Sequence, residues 1–249
     1  DIAALVKDYK GDTTMTAGEA FDPTPANIDA RTVRSELPSG MKLALLPKAT
    51  RGQTVSGTIR LHFGTEQGLS GKATTASLAG AMLMRGTTAH TRLQLKDEFD
   101  RLKAQVGVRG TAEGVTVSFT TVRANLPAVL RLAGEVLRQA SFDSTEFVTL
   151  QRERLAALES QRTDPIALAQ TALARATQAY APGHPRYVST IEERIANTQA
   201  VTVADARRFW VEFYGVGAGE AAIGGDFDQG EVSAALTEVF GAWKSPAAY

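Results

Sequence analysis

Residues 54–63 restrict the fold more than any other segment, because apolar and polar positions alternate strictly there. Val55, Gly57, Ile59, Leu61 and Phe63 would lie on one face, and Thr54, Ser56, Thr58, Arg60 and His62 on the other. A period of two is typical of a β-strand with one buried and one exposed face. The segment therefore predicts a strand in a sheet that is covered on one face.

Other β-favourable runs flank turn sequences and predict two hairpins. Residues 32–37 and 41–46 lie on either side of Pro38-Ser39-Gly40, and residues 106–112 and 115–122 on either side of Glu113-Gly114. A further short buried strand is predicted at residues 221–224. Gly224-Gly225-Asp226 then follows as a strand-exit turn, because it lacks the glycine pattern and the lysine of phosphate-binding loops.

Helices are predicted between and after these strands. Residues 70–85 are Ala-rich and apolar on nearly all sides, which is typical of a helix packed on several sides. Other helices are predicted to start at Thr91 with Gln94, at Asn125, at Asp143 or Ser144, at Asp164-Pro165, and at Thr202 with Asp205. Hairpins combined with segregated helices predict an α+β fold, in which a mostly antiparallel sheet is covered on one face by helices.

Residues 1–30 differ from the rest of the chain. They include Phe21-Asp22-Pro23-Thr24-Pro25, and two prolines that close together predict an extended linker or tail. Residues 31–249 are predicted to form a single α+β domain that folds without residues 1–30. The sequence begins at Asp1 with no signal-like segment, and we expect a processed form or a piece of a larger protein.

The composition argues against several classes of function. Lys plus Arg and Asp plus Glu number 27 each and are interspersed, so no basic field is available to attract nucleic acid. No apolar stretch approaches the roughly 20 residues of a membrane span. The absence of cysteine excludes disulfides, thiolate zinc ligands and cysteine nucleophiles.

The three histidines have no spacing that would place two ligands on one helix face. His62 is interpreted as a polar-face strand residue, His90 as a turn residue and His184 as part of a loop. An enzyme that uses all three histidines together remains an alternative. The charged segment from Arg152 to Arg162 is interpreted as a solvated helix face with i, i+4 pairs.

Four segments, taken together in order and spacing over about residues 33–248, resemble one domain of the pitrilysin/insulinase family of zinc metallopeptidases. They are residues 37–42 (LPSGMK), 63–87 (FGTE through LMRGT), 180–187 (YAPGHPRY), and 201–205 (VTVAD) leading to 224–228 (GGDFD). The resemblance implies a metalloprotease-like domain of the mitochondrial processing peptidase type.

The same resemblance implies that the zinc motif of the family has been replaced. Active members carry H-x-x-E-H on the helix ahead of the Gly-Thr turn, with two zinc-binding histidines and a glutamate as general base. Counting back from Gly86-Thr87, Ser77 and Ala81 occupy the histidine positions and Gly80 the glutamate position. No catalytic, cofactor-binding or metal residue is therefore assigned in this chain.

A further zinc ligand of active relatives is a glutamate on a later helix. Glu146, Glu153 and Glu159 lie in the corresponding region, and none is assigned as a ligand, since a lone helix glutamate is usually a solvated charge. The resemblance also implies an Arg and Tyr pair that contacts substrate, which we expect in a following domain outside this chain.

The resemblance implies the first domain of a degenerate half, structural and substrate-enclosing, in a zinc metalloendopeptidase that degrades peptides. Zinc would be held by the catalytic half, in the same chain or in a partner subunit. Peptide substrates and a periplasmic or secreted location are expected, without nucleic-acid or membrane partners, and this segment alone should be inactive. The alternative is a purely structural scaffold domain of the same superfamily.

Overall fold

The structure, a computed structural model, describes residues 17–249 and confirms the predicted α+β class. Within this part of the chain, six strands form one sheet in the order β1-β2-β6-β3-β5-β4. The strands are β1 (Val33–Glu36), β2 (Lys42–Pro47), β3 (Thr54–His62), β4 (Gln105–Gly110), β5 (Gly114–Val122) and β6 (Gly219–Gly225). All neighbouring strands are antiparallel except β2 and β6, which are parallel.

The described helices are α1 (Pro25–Arg31), α2 (Glu66–Leu69), α3 (Ala73–Met82), α4 (Arg92–Arg101), α5 (Leu126–Arg138), α6 (Ser144–Gln161), α7 (Pro165–Thr177), α8 (Ile191–Ala200), α9 (Val203–Phe213) and α10 (Gln229–Phe240). Capping boxes form as predicted at the starts of α4 and α9. The carboxylates of Asp143 and Asp164 accept hydrogen bonds from backbone N–H groups in the first turns of α6 and α7, also as predicted.

The two faces of the sheet differ as the alternation in β3 predicts. Val55, Ile59 and Leu61 are fully buried against the helices, whereas Thr58 and Arg60 on the opposite face are exposed. Helix α5 supplies much of the helical side of the core, where its apolar side chains pack with those of α10. The helices thus cover one face and leave the other uncovered.

One prediction about a helix start was wrong, and one helix was missed. Asn125 does not cap α5: its side-chain amide donates instead to the carbonyl of Leu102 at 2.9 Å, and a 3₁₀ turn at Arg123–Asn125 leads into the helix. Helix α8 was not predicted, although Thr190 and Glu193 form a complete capping box at its start.

The prediction of an extended segment up to residue 30 was wrong for residues 25–30, which belong to α1. Pro25 sits in the first turn of that helix, where its missing N–H would have no partner within the helix. Arg31 pairs with Glu19 and lies over the ring of Phe21, as does Lys48 at 4.3 Å from the ring centroid. Residues 1–16 of the predicted linker lie outside the described residues, and the domain boundary near residue 31 stays a prediction.

No helix within residues 17–249 is both long enough and apolar enough to cross a membrane.

Candidate functional site

Helix α3 carries the three positions at which the resemblance places a zinc motif. Ser77 is half-buried, Gly80 is buried and Ala81 is exposed. A serine hydroxyl is a weak zinc ligand, and alanine and glycine have no donor atoms in their side chains. These three residues therefore do not provide the ligands that a zinc ion needs.

Gly80 is the point where α3 comes closest to the sheet. A Cβ atom placed on Gly80 would lie 2.5 Å from the Cα and 2.9 Å from the N of Gly110, the last residue of β4. The approach is mutual, because a Cβ on Gly110 would lie 2.8 Å from the Cα of Gly80. A side chain at position 80 would therefore have to displace the main chain of β4, so this glycine is a packing residue.

Ser77 faces helix α6, the region in which the family resemblance places a further zinc ligand of active members. The side chain that reaches Ser77 belongs to Arg154, whose Nη2 donates to Ser77 Oγ at 3.2 Å. A guanidinium group is always protonated in proteins and repels a metal cation. The α6 residue beside Ser77 is thus a cation, which further disfavours metal binding there.

Glu146 and Glu153, two of the three candidate glutamates, both bind Arg85. The Nη1 of Arg85 donates to Glu146 at 3.1 Å, and its Nη2 donates to Glu153. The side chain of Arg85 is only 8% exposed, so the two carboxylates compensate a charge that is largely removed from water. These glutamates therefore link α6 to the turn that follows α3, and their charges are compensated by Arg85.

Glu159, the remaining candidate, pairs with Arg162 at 3.1 Å on the exposed surface of α6. This pair has i, i+3 spacing, and no two opposite charges within residues 152–162 are four positions apart. The predicted i, i+4 pairing within residues 152–162 was therefore wrong, and Glu153 and Arg154 instead contact Arg85 and Ser77.

The three histidines lie in separate places, each near its own glutamate. His62 lies 3.7 Å from Glu220 across the uncovered sheet face, and His90 Nδ1 lies 2.7 Å from Glu135 on α5. His184 lies 3.2 Å from Glu66 and stacks on Tyr180 with 4.1 Å between ring centroids. Across residues 17–249, no group of three or more His, Cys, Asp or Glu side chains is placed to hold a metal ion.

Gly224-Gly225-Asp226 ends β6 in a turn, in agreement with the sequence-based interpretation. The carbonyl of Gly225 accepts the N–H of Lys48, and the N–H of Asp226 donates to the carbonyl of Thr54. The carboxylate of Asp226 pairs with Arg123 at 2.8 Å. The N–H of Asp226, which a phosphate at this turn would need, is thus used within the protein.

The part of the uncovered sheet face around Thr58 is lined with small and hydroxyl-bearing side chains, whereas charged side chains such as those of Arg60 and Glu220 lie further along the same face. Thr58 in β3 lies between Ser118 in β5 and Ala222 in β6. Two residues along the strands, on the same face, Ser56 Oγ and Thr120 Oγ1 are hydrogen-bonded at 3.2 Å. This surface offers hydroxyl donors and acceptors with little steric bulk.

Sequence comparison identifies no relative: no protein-family model matches the chain, and no curated protein matches it at a significant level. Comparison of structures identifies proteins with the same fold. A peptidase M16 inactive domain from Pseudomonas fluorescens superposes with a TM-score of 0.73 and 20% identity, covering 88% of this chain and 52% of that one. A protease from Helicobacter pylori has a TM-score of 0.73 and 15% identity, with the same coverage.

The first half of the periplasmic protease PqqL from Escherichia coli is similarly close, with a TM-score of 0.71 and 16% identity over 95% of this chain and 49% of that structure. The chain therefore has the fold of a peptidase M16 domain, and it spans about half the length of these matched structures. The fold occurs both in a domain described as inactive and in the first half of a protease, so the fold alone does not assign a catalytic role.

Proposed function

We propose that this chain is a non-catalytic, structural and substrate-enclosing domain of a zinc metalloendopeptidase that degrades peptides. The zinc and the catalytic residues would lie in another half, in the same polypeptide or in a partner subunit. The main support is the contact between Gly80 and Gly110, which leaves no space for a catalytic glutamate on α3 while the peptidase-like fold is kept.

The uncovered sheet face would form part of the wall around the substrate. Its hydroxyl groups at Ser56, Thr58, Ser118 and Thr120 can exchange hydrogen bonds with an extended peptide, and their small size leaves room for it. Hydroxyl groups of this kind can bind the main chain of a peptide, which suits a surface that contacts peptides of many sequences.

We further propose a periplasmic or secreted location, with peptides as the substrates and neither nucleic acid nor membrane as a partner. The described periplasmic location of PqqL supports the first part, and the balanced, interspersed charge of this chain supports the second. The alternative function is a scaffold domain with no peptide chamber. The same fold and the same motif loss would serve that role.

The sequences of the parent gene and of neighbouring reading frames distinguish these alternatives first. An H-x-x-E-H motif there supports the peptidase, and its absence supports the scaffold. The decisive experiment is peptide hydrolysis by that catalytic half with and without this chain. We expect this chain alone to hydrolyse nothing and the assembled pair to be active. Equal activity with and without this chain would favour the scaffold.

Substitutions then test whether the uncovered sheet face contacts the substrate. Thr58→Trp places bulk on the uncovered sheet face, and Ala234→Trp places the same side chain on an exposed position of α10. The proposal predicts that kcat/KM of the assembled peptidase falls at least about tenfold for the first variant and stays within about twofold for the second. Equal effects of both variants would mean that the sheet face does not meet substrate.

A further inference from the structure

A cavity of about 430 Å³ lies between α3, α6, α7, α8 and residues 187–189. Part of its wall is apolar, including Leu78 and Leu158. Two guanidinium groups, those of Arg154 on α6 and Arg194 on α8, also line it. The volume falls within the range of about 300–1,000 Å³ that is typical of small-molecule sites.

No Asp or Glu side chain of the described chain lines this cavity, and within residues 17–249 neither of its two guanidinium groups forms an ion pair. The contacts of Arg154 and Arg194 are with neutral groups. Arg154 donates to Ser77 Oγ at 3.2 Å, and Arg194 Nη2 donates to Gln161 Oε1 at 3.2 Å. Arg85, in contrast, has two carboxylates at its guanidinium group.

Arg194 is also incompletely hydrogen-bonded. Its Nε is buried and, within residues 17–249, has no acceptor. Burial lowers the pKa of Arg194, and the positive charge of Arg154 lowers it further. Because a guanidinium group stays protonated, the site retains two repelling charges and an unsatisfied N–H, both of which an anion would compensate.

We propose that this cavity binds the C-terminal carboxylate of a peptide, with the apolar side chain of the terminal residue against Leu78 and Leu158. Guanidinium groups match the two oxygens of a carboxylate in geometry, and hydroxyls such as that of Ser77 can donate to the same group. A bare inorganic anion would leave most of the cavity and its apolar wall unused. Binding of this kind would occur whether or not the chain is part of a peptidase.

The test is calorimetric titration of the 249-residue chain with three probes at equal ionic strength. These are N-acetyl-alanyl-leucine with a free carboxylate, the corresponding amide, and inorganic phosphate. The free acid should bind at least about tenfold more tightly than the amide and more tightly than phosphate. An amide that binds as well as the acid, or phosphate that binds at least as well, would overturn the proposal, as would no binding of the acid.

Substitutions assign the binding to the two arginines. Arg154→Gln and Arg194→Gln should each weaken binding of the acid at least about tenfold, whereas Arg152→Gln should leave it within about twofold. Arg152 lies on the same helix and is exposed but does not line the cavity, so it controls for net charge. Arg154 is also exposed, and its replacement leaves the packing of α8 intact. Unchanged affinity in Arg154→Gln, or an equal loss in Arg152→Gln, contradicts the proposal.

Discussion

The two sides of helix α3 differ in what they allow. At Gly80 the helix meets the main chain of β4 so closely that even one added carbon would collide with it. At Ser77 the helix borders an open cavity, and its neighbour is the cation of Arg154. Positions only three residues apart thus differ in kind: one is restricted by shape and the other by charge. Metal-binding side chains placed on α3 would therefore meet both restrictions.

The largest effect is expected for Gly80→Glu. The new side chain would collide with Gly110 and bury a carboxylate without a partner, which we expect to lower the free energy of unfolding by about 3–5 kcal/mol or to prevent folding. Ala81→Glu adds the same group at the next residue, which is exposed, and should change stability by less than about 0.5 kcal/mol. Urea unfolding of both variants measures the difference, and similar values for the two would refute close packing at Gly80.

Gly110→Ala tests the same contact from the strand. Its Cβ would lie 2.8 Å from the Cα of Gly80 and 3.2 Å from the carbonyl oxygen of Ala76, and we expect a loss of about 1–3 kcal/mol. Gly107→Ala in the same strand is the control, because its Cβ would meet nothing within 4 Å. Thermal unfolding should show a lower Tm for the first variant only. A control that loses as much would point to strand propensity and away from helix packing.

The charge on the other side of α3 is tested by zinc binding. Ser77→His with Ala81→His supplies two imidazoles, and adding Arg154→Glu replaces a repelling cation by a carboxylate. We expect zinc to bind at least about tenfold more tightly after that addition, which corresponds to about 1.4 kcal/mol of binding free energy. Arg152→Glu in the same double-histidine background controls for net charge and should have a smaller effect. Titration with zinc measures this, and equal gains would show that Arg154 does not act locally.

We also expect no peptide hydrolysis when the full motif is rebuilt as Ser77→His, Gly80→Glu and Ala81→His. A hydrolytic zinc site needs a third protein ligand, oriented supporting groups and an open coordination position, and the glutamate at position 80 would also disturb β4. Peptide cleavage that depends on zinc and stops with a chelator would contradict this expectation.

The smallest effect is expected for Ser77→Ala. It removes one hydrogen bond to an exposed arginine, so the free energy of unfolding should change by less than about 1 kcal/mol. Chemical denaturation of this variant measures the change in the free energy of unfolding. A loss as large as that of Gly110→Ala would mean that the Ser77 side also depends on tight packing.

Local patterns in the sequence were sufficient to predict most secondary-structure elements. The alternation in residues 54–63 identified β3 and its buried face, and the pairs Thr91 with Gln94 and Thr202 with Asp205 located two helix starts. These signals succeed because strand pleat and helix capping depend on residues a few positions apart. The same principle would have located α8 from Thr190 and Glu193.

The sequence by itself determined that α3 lacks metal ligands, because Ser77, Gly80 and Ala81 can be read by residue type. It could not show that Gly80 touches Gly110, since that contact joins a helix to the end of a strand 30 residues away. It also did not place Arg154 and Arg194 in one cavity. Only the tertiary structure decided these points, because helix packing brings together side chains whose separation along the chain carries no periodic signal, and their charges interact only at that short range.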